Sequence, residues 1–262
     1  MRAAVDTSQR GVLFPEALPT RFRRVPPRAE VSSLVAWWWL SEWSLPPGEV
    51  SEQHLIAFPS CNLAVEDSMV GLAGPTTRAS TWRLEGQGWV VGALLKPAAV
   101  PALCADPTSV REDYVTLDEP SLLADVRDAV RDGLEAGIPV VERWLLDVVG
   151  ELTETRLLAN CVADLAATES AITGVAELAA AFDLSERSLY RLTASHLGLT
   201  PYDLIRRRRI QAAAEAVRTS GEDLARVAAD HGFSDQAHLA REFRQVLGRT
   251  PTHYRTQAAD RA

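Results

Sequence analysis

Lysine, cysteine and long hydrophobic stretches are all scarce in this chain of 262 residues. Lysine accounts for only one of the 27 basic residues, so nearly all of the positive charge is arginine. The three cysteines are widely separated and odd in number, which argues against a disulfide framework and fits a reducing cytoplasm. No apolar run reaches the ~18 residues of a membrane span, and the start lacks the apolar core of a signal peptide. The sequence therefore predicts a cytoplasmic protein with no membrane partner.

The common catalytic motifs are also missing. The chain has no phosphate-binding loop, no G-x-S-x-G elbow, no H-E-x-x-H zinc helix and no nucleotide-binding glycine pattern. We therefore predict that the protein is not an enzyme and needs no cofactor or metal. One enzymatic alternative stays open, because Cys61 falls in a turn and could act as the thiol of a transfer reaction.

Charge is distributed unevenly along the chain, whose net charge is −8. Residues 1–155 hold 13 basic and 22 acidic residues, a net −9, whereas residues 156–262 hold 14 and 13, a net +1. Within 185–255 there are 12 arginines against 8 acidic residues, a net +4. The back half therefore carries a local basic field that the total charge conceals.

Short strand-like runs separated by turn residues fill the region between about 30 and 95. The runs are LVAWWWL, HLIAF, CNLAVE, MVGLA and GWVVGALL. Their close spacing favours hairpins over crossover connections, so we expect a small antiparallel sheet or open barrel. Helical spacing follows after Lys96, and it places Cys161 on the apolar side of the third helix. The helical segments are SLLADVRDAVRDGL, PVVERWLLDVV and TRLLANCVADLAA.

The back half contains an internal duplication. Residues 175–201 and 224–251 share one plan: an alanine-rich helix, a tight turn, a serine, a longer helix and G-x-T-P. The pattern predicts two helix-turn-helix units joined by a long helix, in an α+β multidomain protein whose second domain is all-α. The expected N-caps are Ser185, Ser234, Thr200 and Thr250, the last two followed by Pro201 and Pro251 at the first helical position.

The longer helix of each copy predicts one apolar side and one arginine-bearing side. In the second copy, Leu239, Phe243, Val246 and Leu247 share a face at ~100° per residue, opposite Arg241. A DNA major groove accepts such a helix, since arginine can donate to guanine edges and phosphates.

The arginine run 206–209 gives weaker evidence for nucleic-acid binding, because helical geometry spreads its members around the axis. One or two of Arg206, Arg207 and Arg208 are expected near phosphate, whereas Arg209 is expected to need a carbonyl or acidic partner. The positions predicted to be structural are Arg209, Gly232, Phe233, Phe243, Gly248 and Pro251.

At this point the residues carry a family resemblance. GFSDQAHLAREFRQVLGRTPTHYR, together with LSERSLYRL and GLTP, resembles the DNA-binding domain of AraC/XylS-type transcription regulators. The resemblance implies a bacterial, nucleoid-associated protein whose two recognition helices enter successive major grooves. The helix faces and the resemblance together predict these DNA contacts: Arg187, Ser188, Tyr190, Arg191, Gln236, Ala237, His238, Arg241 and Arg244.

The front half resembles a sensor domain found on one branch of these regulators, through VAWWWLSE, LIAFPSCNLAVED, GPTT, VVGALLKPAAV and VTLDE. The expected domains are a β-rich sensor or ligand-binding domain at 1–117, a helical linker, dimerisation or docking segment at 118–151, and a DNA-binding domain at 152–262. The tryptophans either pack as sheet core and interface or form the wall of a ligand pocket. The candidate pocket residues are Trp37, Trp39, His54, Cys61, Trp82 and Trp89.

The leading hypothesis is a sequence-specific transcription regulator, modulated by a small apolar or aromatic effector. Its partners would be double-stranded DNA with two adjacent major-groove half-sites, a second copy of the chain, and RNA polymerase if it activates. Activation and repression both stay open. The alternatives are a thiol-transfer enzyme using Cys61 beside a DNA-binding domain, and an interaction protein whose helix-turn-helix units no longer read DNA.

Overall fold

The computed structural model describes residues 20–55, 57–219 and 221–259, in which eight strands and ten α-helices form two domains. The strands are β1 Thr20–Val25, β2 Val35–Ser44, β3 Val50–Leu55, β4 Asn62–Glu66, β5 Val70–Ala73, β6 Ser80–Glu85, β7 Gln87–Leu95 and β8 Tyr114–Leu117. The helices are α1 Val100–Leu103, α2 Pro120–Ala129, α3 Ile138–Val149, α4 Glu154–Thr168, α5 Val175–Ala180, α6 Glu186–Leu197, α7 Pro201–Thr219, α8 Leu224–Asp230, α9 Gln236–Leu247 and α10 Pro251–Ala259.

The predicted antiparallel sheet is confirmed. Six strands pair in the order β1-β2-β7-β4-β5-β8, and β3 and β6 pair separately as a two-stranded ribbon. Within the described residues β1 and β8 form the two ends of the sheet, which therefore stays open. The sequence analysis missed β1, β6 and β8. None of the helices that the structure describes is long and apolar enough to cross a membrane.

One face of the sheet is closed by helices. Trp38, Leu40 and Leu63 point to this side and are fully buried together with Val126 of α2 and Leu145 of α3. Residues 118–151, expected as a linker, dimerisation or docking segment, form the second layer of the N-terminal domain there. Burying this apolar area supplies most of the stability of a two-layer domain.

The opposite face of the sheet, called here the inner face, combines aromatic residues with glycine. A Cβ atom at Gly92 would lie 2.1 Å from the ring of Trp39, and one at Gly71 would lie 2.1 Å from the Tyr114 hydroxyl. Only glycine therefore lets these two side chains lie against the sheet. The β3–β6 ribbon covers this face, since Trp82 of β6 packs on Tyr114 with ring centroids 5.4 Å apart.

The second domain contains the two predicted helix-turn-helix units, α5–α6 and α8–α9, joined by the single helix α7. Ser185 caps α6 as predicted, accepting a hydrogen bond from the backbone N–H of Ser188 at 3.1 Å. The predicted cap Ser234 is wrong by one residue. The N-cap of α9 is Asp235, whose carboxylate accepts from the backbone N–H of His238 at 2.6 Å.

Helix α4 belongs to both domains. Ala159, Val162 and Ala166 pack in the core of the first helix-turn-helix unit. The side chain of Asn160, only 7% exposed, accepts from the N–H of Ala98 and donates to the carbonyl of Ser33, both at 2.9 Å. Asn160 thus fastens the first unit to two loops of the sheet domain.

The expectation that Cys161 lies on the apolar side of its helix is wrong. Cys161 is exposed, because the buried stripe of α4 runs through the residues on either side of it.

Replacing Asn160 by alanine should lower the free energy of unfolding by about 2–3 kcal/mol. Two backbone groups would lose their partners, and each buried orphan costs ~1–3 kcal/mol. Chemical denaturation measures the loss, and Cys161→Ala on the neighbouring exposed position is the control, with an expected change below about 0.5 kcal/mol. Equal stability of the two variants would contradict the role given to Asn160.

Candidate nucleic-acid interface

The outer face of α6 carries two arginines and a tyrosine. Leu189, Leu192 and Leu197 are buried on the inner side of the helix. Arg187, Tyr190 and Arg191 are exposed on the other side, within the first turn and a half. Ser188 is half-buried, and its hydroxyl accepts a hydrogen bond from Ser185 at 2.9 Å. The arrangement places cationic groups near the helix N-terminus, where the backbone dipole is also positive.

Helix α9 repeats this arrangement with stronger amphipathicity. Leu239, Phe243, Val246 and Leu247 are buried, as predicted. The other side exposes Gln236, Ala237, Arg241 and Arg244. The backbone N–H of His238 lowers the pKa of the capping carboxylate of Asp235, because the hydrogen bond favours the charged form. This cap therefore stays ionised and keeps the first turn of α9 formed.

His238 is oriented by the turn that precedes α9. Its Nδ1 accepts from the backbone N–H of Ser234 at 3.3 Å, and its ring meets the edge of Phe233 at a centroid distance of 5.5 Å. An acceptor Nδ1 means that the neutral ring carries its hydrogen on Nε2. His238 is half-buried and keeps Nε2–H as a donor group.

From the second helix of each unit onward, the two units repeat at a constant spacing of 50 residues. Helices α6 and α9 begin at 186 and 236, and both end at a glycine in the left-handed conformation, Gly198 and Gly248. Helices α7 and α10 then begin at Pro201 and Pro251. This register pairs Arg191 with Arg241, and both are exposed. Matched arginines on matched helix faces are the strongest feature of this surface.

The four arginines of α7 make contacts inside the protein. Arg206 pairs with Glu242 of α9, and Arg208 donates to the carbonyl of Ile172. Arg207 is only 8% exposed and lies over the ring of Phe58 at 4.7 Å. The expectation that one or two of Arg206 to Arg208 reach phosphate is therefore corrected: their charged groups are turned to partners within the protein.

Arg209 holds the turn of the second unit. Its Nε donates to the carbonyl of His231 at 3.3 Å, and its Nη2 donates to that of Gly232. Its guanidinium also lies 4.8 Å from the ring centre of Phe233. The other positions expected to be structural lie in the same region. Gly232 has a positive φ of 72°, Phe233 and Phe243 are buried, Gly248 ends α9 and Pro251 begins α10.

The structure divides the candidate pocket residues between the two faces of the sheet. Trp37 and Trp39 lie half-buried on the inner face, and Trp82, 41% exposed, reaches it from the ribbon. Trp89 and Cys61 pack in the core on the helix side and do not belong with them. The side chain of His54 lies outside the described residues. Sequence reasoning missed Phe22 and Tyr114, which extend the aromatic lining of the inner face.

Gln53 is a further residue that the sequence analysis did not single out. It is 6% exposed on the ribbon, and its Nε2 donates to the hydroxyl of Ser51 at 2.6 Å. Its Oε1 is buried with no hydrogen-bond partner among the described residues, as is Nε1 of Trp39. A buried carbonyl oxygen without a partner is costly, so its retention at this position calls for an explanation.

Cys61 is unsuited to thiol chemistry. Its side chain is 0% exposed, and burial, with a smaller effect of Cys104, raises the pKa of the thiol to about 12. Because the reactive species is the thiolate, a buried neutral thiol is inert.

Both domains of the chain match known protein families. Residues 178–257 match a family described as helix-turn-helix domain. The resemblance of this region to AraC-type regulators is thereby confirmed. Residues 23–115 match a domain of unknown function, DUF6597.

Two curated transcriptional regulators resemble this chain over about 80 residues. The chain is 34% identical over 80 residues to a probable transcriptional regulator, LumQ, from Photobacterium leiognathi, covering 30% of this chain and 32% of that one. It is 33% identical over 84 residues to the transcriptional activator RhaS from Pectobacterium carotovorum, covering 32% of this chain and 30% of that one. The chain thus spans about a third of the length of these relatives.

Solved structures resemble the chain only loosely. ToxT from Vibrio cholerae covers 84% of this chain and 98% of its own, with 11% identity and a TM-score of 0.41. A transcriptional regulator from Chromobacterium violaceum covers 34% of this chain and 80% of its own, with 24% identity and a TM-score of 0.32. Scores of this size have no bearing on function.

Alkylation of the native protein by iodoacetamide at pH 8 should modify Cys161 and leave Cys61 intact. With a pKa of about 12 the Cys61 thiolate is about one part in 10⁴ at this pH. Peptide mass spectrometry before and after unfolding reads the two sites separately. Modification of Cys61 as fast as Cys161 would restore the thiol-transfer hypothesis.

Proposed function

We propose that this protein is a sequence-specific transcription regulator that binds double-stranded DNA with both helix-turn-helix units. The observation that carries the proposal is the matched pair Arg191 and Arg241, exposed at the same position of two helices that both end at a left-handed glycine. Each can donate two parallel hydrogen bonds to the edge of a guanine. The flanking contacts are the remaining predicted residues: Arg187, Ser188, Tyr190, Gln236, Ala237, His238 and Arg244.

The helix that joins the two units is comparable in length to the distance between adjacent major grooves on one face of DNA. Helix α7 has 19 residues and is therefore about 28 Å long, close to the ~34 Å of one helical turn of DNA. Its arginines anchor it to both units, so the two reading helices are held in a fixed relation. DNA whose grooves do not match this relation has to bend, which itself favours deformable sequences.

Electrostatics would supply much of the affinity and part of the selectivity. Each phosphate neutralised contributes about −0.9 to the dependence of log K on log salt. The acidic N-terminal half repels nonspecific DNA and leaves specific contacts to decide binding. Such a regulator works in the cytoplasm at the nucleoid, as an activator contacting RNA polymerase or as a repressor, alone or as a homodimer.

The inner face of the sheet is the proposed effector site. Trp37, Trp39 and Trp82 line it with partly accessible rings, and Gln53 offers an acceptor that has no partner in the described part of the chain. A small, flat, apolar or aromatic molecule with one hydrogen-bond donor suits this combination. The burial of Cys61 disfavours the thiol-transfer alternative. The matched exposed arginines disfavour an interaction protein whose helix-turn-helix units no longer read DNA.

Selection of binding sites from random duplex DNA with the full-length protein tests the proposal. We expect a motif with two half-sites about one helical turn apart. If the full chain selects no motif whereas a fragment of residues 152–262 selects one, the N-terminal half restrains DNA binding until an effector arrives. Failure of both to select any motif would favour an interaction protein instead.

Replacing Arg241 by alanine should weaken binding to the selected site by about 1–3 kcal/mol and relax the preference at one base pair. The melting temperature should stay unchanged, because Arg241 is exposed. Arg143→Ala, which removes an exposed charge from α3, is the matched control and should leave affinity unchanged. A large fall in the melting temperature of Arg241→Ala would instead assign this arginine to the fold.

Replacing Gln53 by leucine should leave the free energy of unfolding unchanged or raise it by about 1 kcal/mol. Leucine has a similar volume and removes the unpartnered oxygen, which offsets the lost hydrogen bond to Ser51. Urea denaturation measures the change. Gln53→Ala, which leaves a cavity, is expected to destabilise the protein. A clear loss of stability in Gln53→Leu would show that Gln53 is held for structure and not for a ligand.

A further inference from the structure

An open groove of about 630 Å³ runs between the sheet domain and the second helix-turn-helix unit. Ser80 and Thr81, at the start of β6, line one wall. The other wall is formed by the end of α9, the turn that follows and the start of α10, with Arg244, Arg249, Thr250 and His253. Two arginines, a histidine and three hydroxyls therefore face one space, and no carboxylate is among the residues lining it.

The donors of this groove are arranged by contacts within the turn. Nη1 of Arg249 lies 2.9 Å from Nε2 of His253. Because a guanidinium only donates, Nε2 is the acceptor, and the neutral ring keeps its hydrogen on Nδ1. Thr250 accepts from the backbone N–H of His253 at 3.3 Å and so retains its own hydroxyl hydrogen for another acceptor. The groove is thus rich in groups that donate hydrogen bonds.

We propose that this groove binds a phosphoryl group between the two domains. A tetrahedral oxyanion can accept from several donors at once, and the planar fork of arginine matches two of its oxygens. Helix α10, nine residues long, also begins at the groove and adds the positive end of its dipole. The N-terminal domain contributes through the hydroxyls of Ser80 and Thr81, so a bound phosphoryl group would tie β6 to the reading unit.

Two sources could supply this group. One is the DNA backbone, since Arg244 lies one turn after Arg241 on α9 and the groove continues the proposed reading surface. The other is a phosphorylated small molecule acting as an effector. The first source depends on the proposed function, whereas the second does not.

Thermal unfolding of the full chain in inorganic phosphate, at constant ionic strength, tests the site without DNA. Phosphate stabilises most proteins nonspecifically through exclusion from their surface, and that effect is the same for all variants. A specific site adds a rise in Tm that grows with the logarithm of phosphate concentration. We expect this added rise in the wild type and in the control Arg226→Gln, whose exposed charge lies on α8.

The added rise should fall several-fold in Arg249→Gln and in Thr81→Val. The second variant removes only an exposed hydroxyl, so it reports on the site even if Arg249→Gln folds poorly. Equal responses of wild type, both groove variants and the control would overturn the proposal.

The salt dependence of binding to the selected DNA identifies the source. If a backbone phosphate occupies the groove, Arg249→Gln lowers the slope of log K against log salt by about 0.9. If a phosphorylated small molecule occupies it, the slope is unchanged while the effect of phosphate on Tm remains. If the protein selects no DNA but the phosphate response depends on Arg249 and Thr81, the proposed function fails and the groove site stands.

Discussion

Four consecutive arginines at the centre of α7 join the parts of this molecule that meet there. Because successive residues of a helix point ~100° apart, each guanidinium faces a different neighbour. Arg208 donates to the carbonyl of Ile172 in the first helix-turn-helix unit, and Arg209 donates to the turn of the second. Arg206 pairs with Glu242 of α9, and Arg207 lies against Phe58 of the sheet domain. Burying this much charge is favourable only when every group finds carbonyls, carboxylates or aromatic faces. The position of α6 relative to α9 therefore depends on these contacts.

The sheet domain contacts the second helix-turn-helix unit through two backbone hydrogen bonds at the last turn of α9. The N–H of Ala57 donates to the carbonyl of Val246 at 3.0 Å, and that of Ala79 donates to Gln245 at 2.9 Å. Terminal helix carbonyls lack partners within the helix, so these two donors complete α9. Both donors lie at the ends of the ribbon strands β3 and β6, whose inner side covers the aromatic face. The β3–β6 ribbon therefore lies between the proposed effector face and α9 and contacts both.

Local patterns in the sequence predicted the fold better than they predicted partners. Alternating strands, helix periodicity and the duplicated plan gave the open sheet and both units, because these signals lie within short segments. Serine and aspartate cap equally well, so the sequence alone did not separate Ser234 from Asp235. The roles of Arg206 to Arg208 were out of reach because Phe58, Ile172 and Glu242 are distant in the chain. Gln53, Phe22 and Tyr114 joined the inner face only through strand pairing.

The two hydrogen bonds of Asn160 to the sheet domain bear on where this chain can be divided. A cut between residues 151 and 152 looks natural from the sequence, yet it separates the amide of Asn160 from the loops at Ser33 and Ala98. A C-terminal domain separated at that point would retain the Asn160 amide without the two backbone groups that it bonds in this structure. A replacement N-terminal domain would therefore have to present the same two backbone groups for this amide to keep its hydrogen bonds.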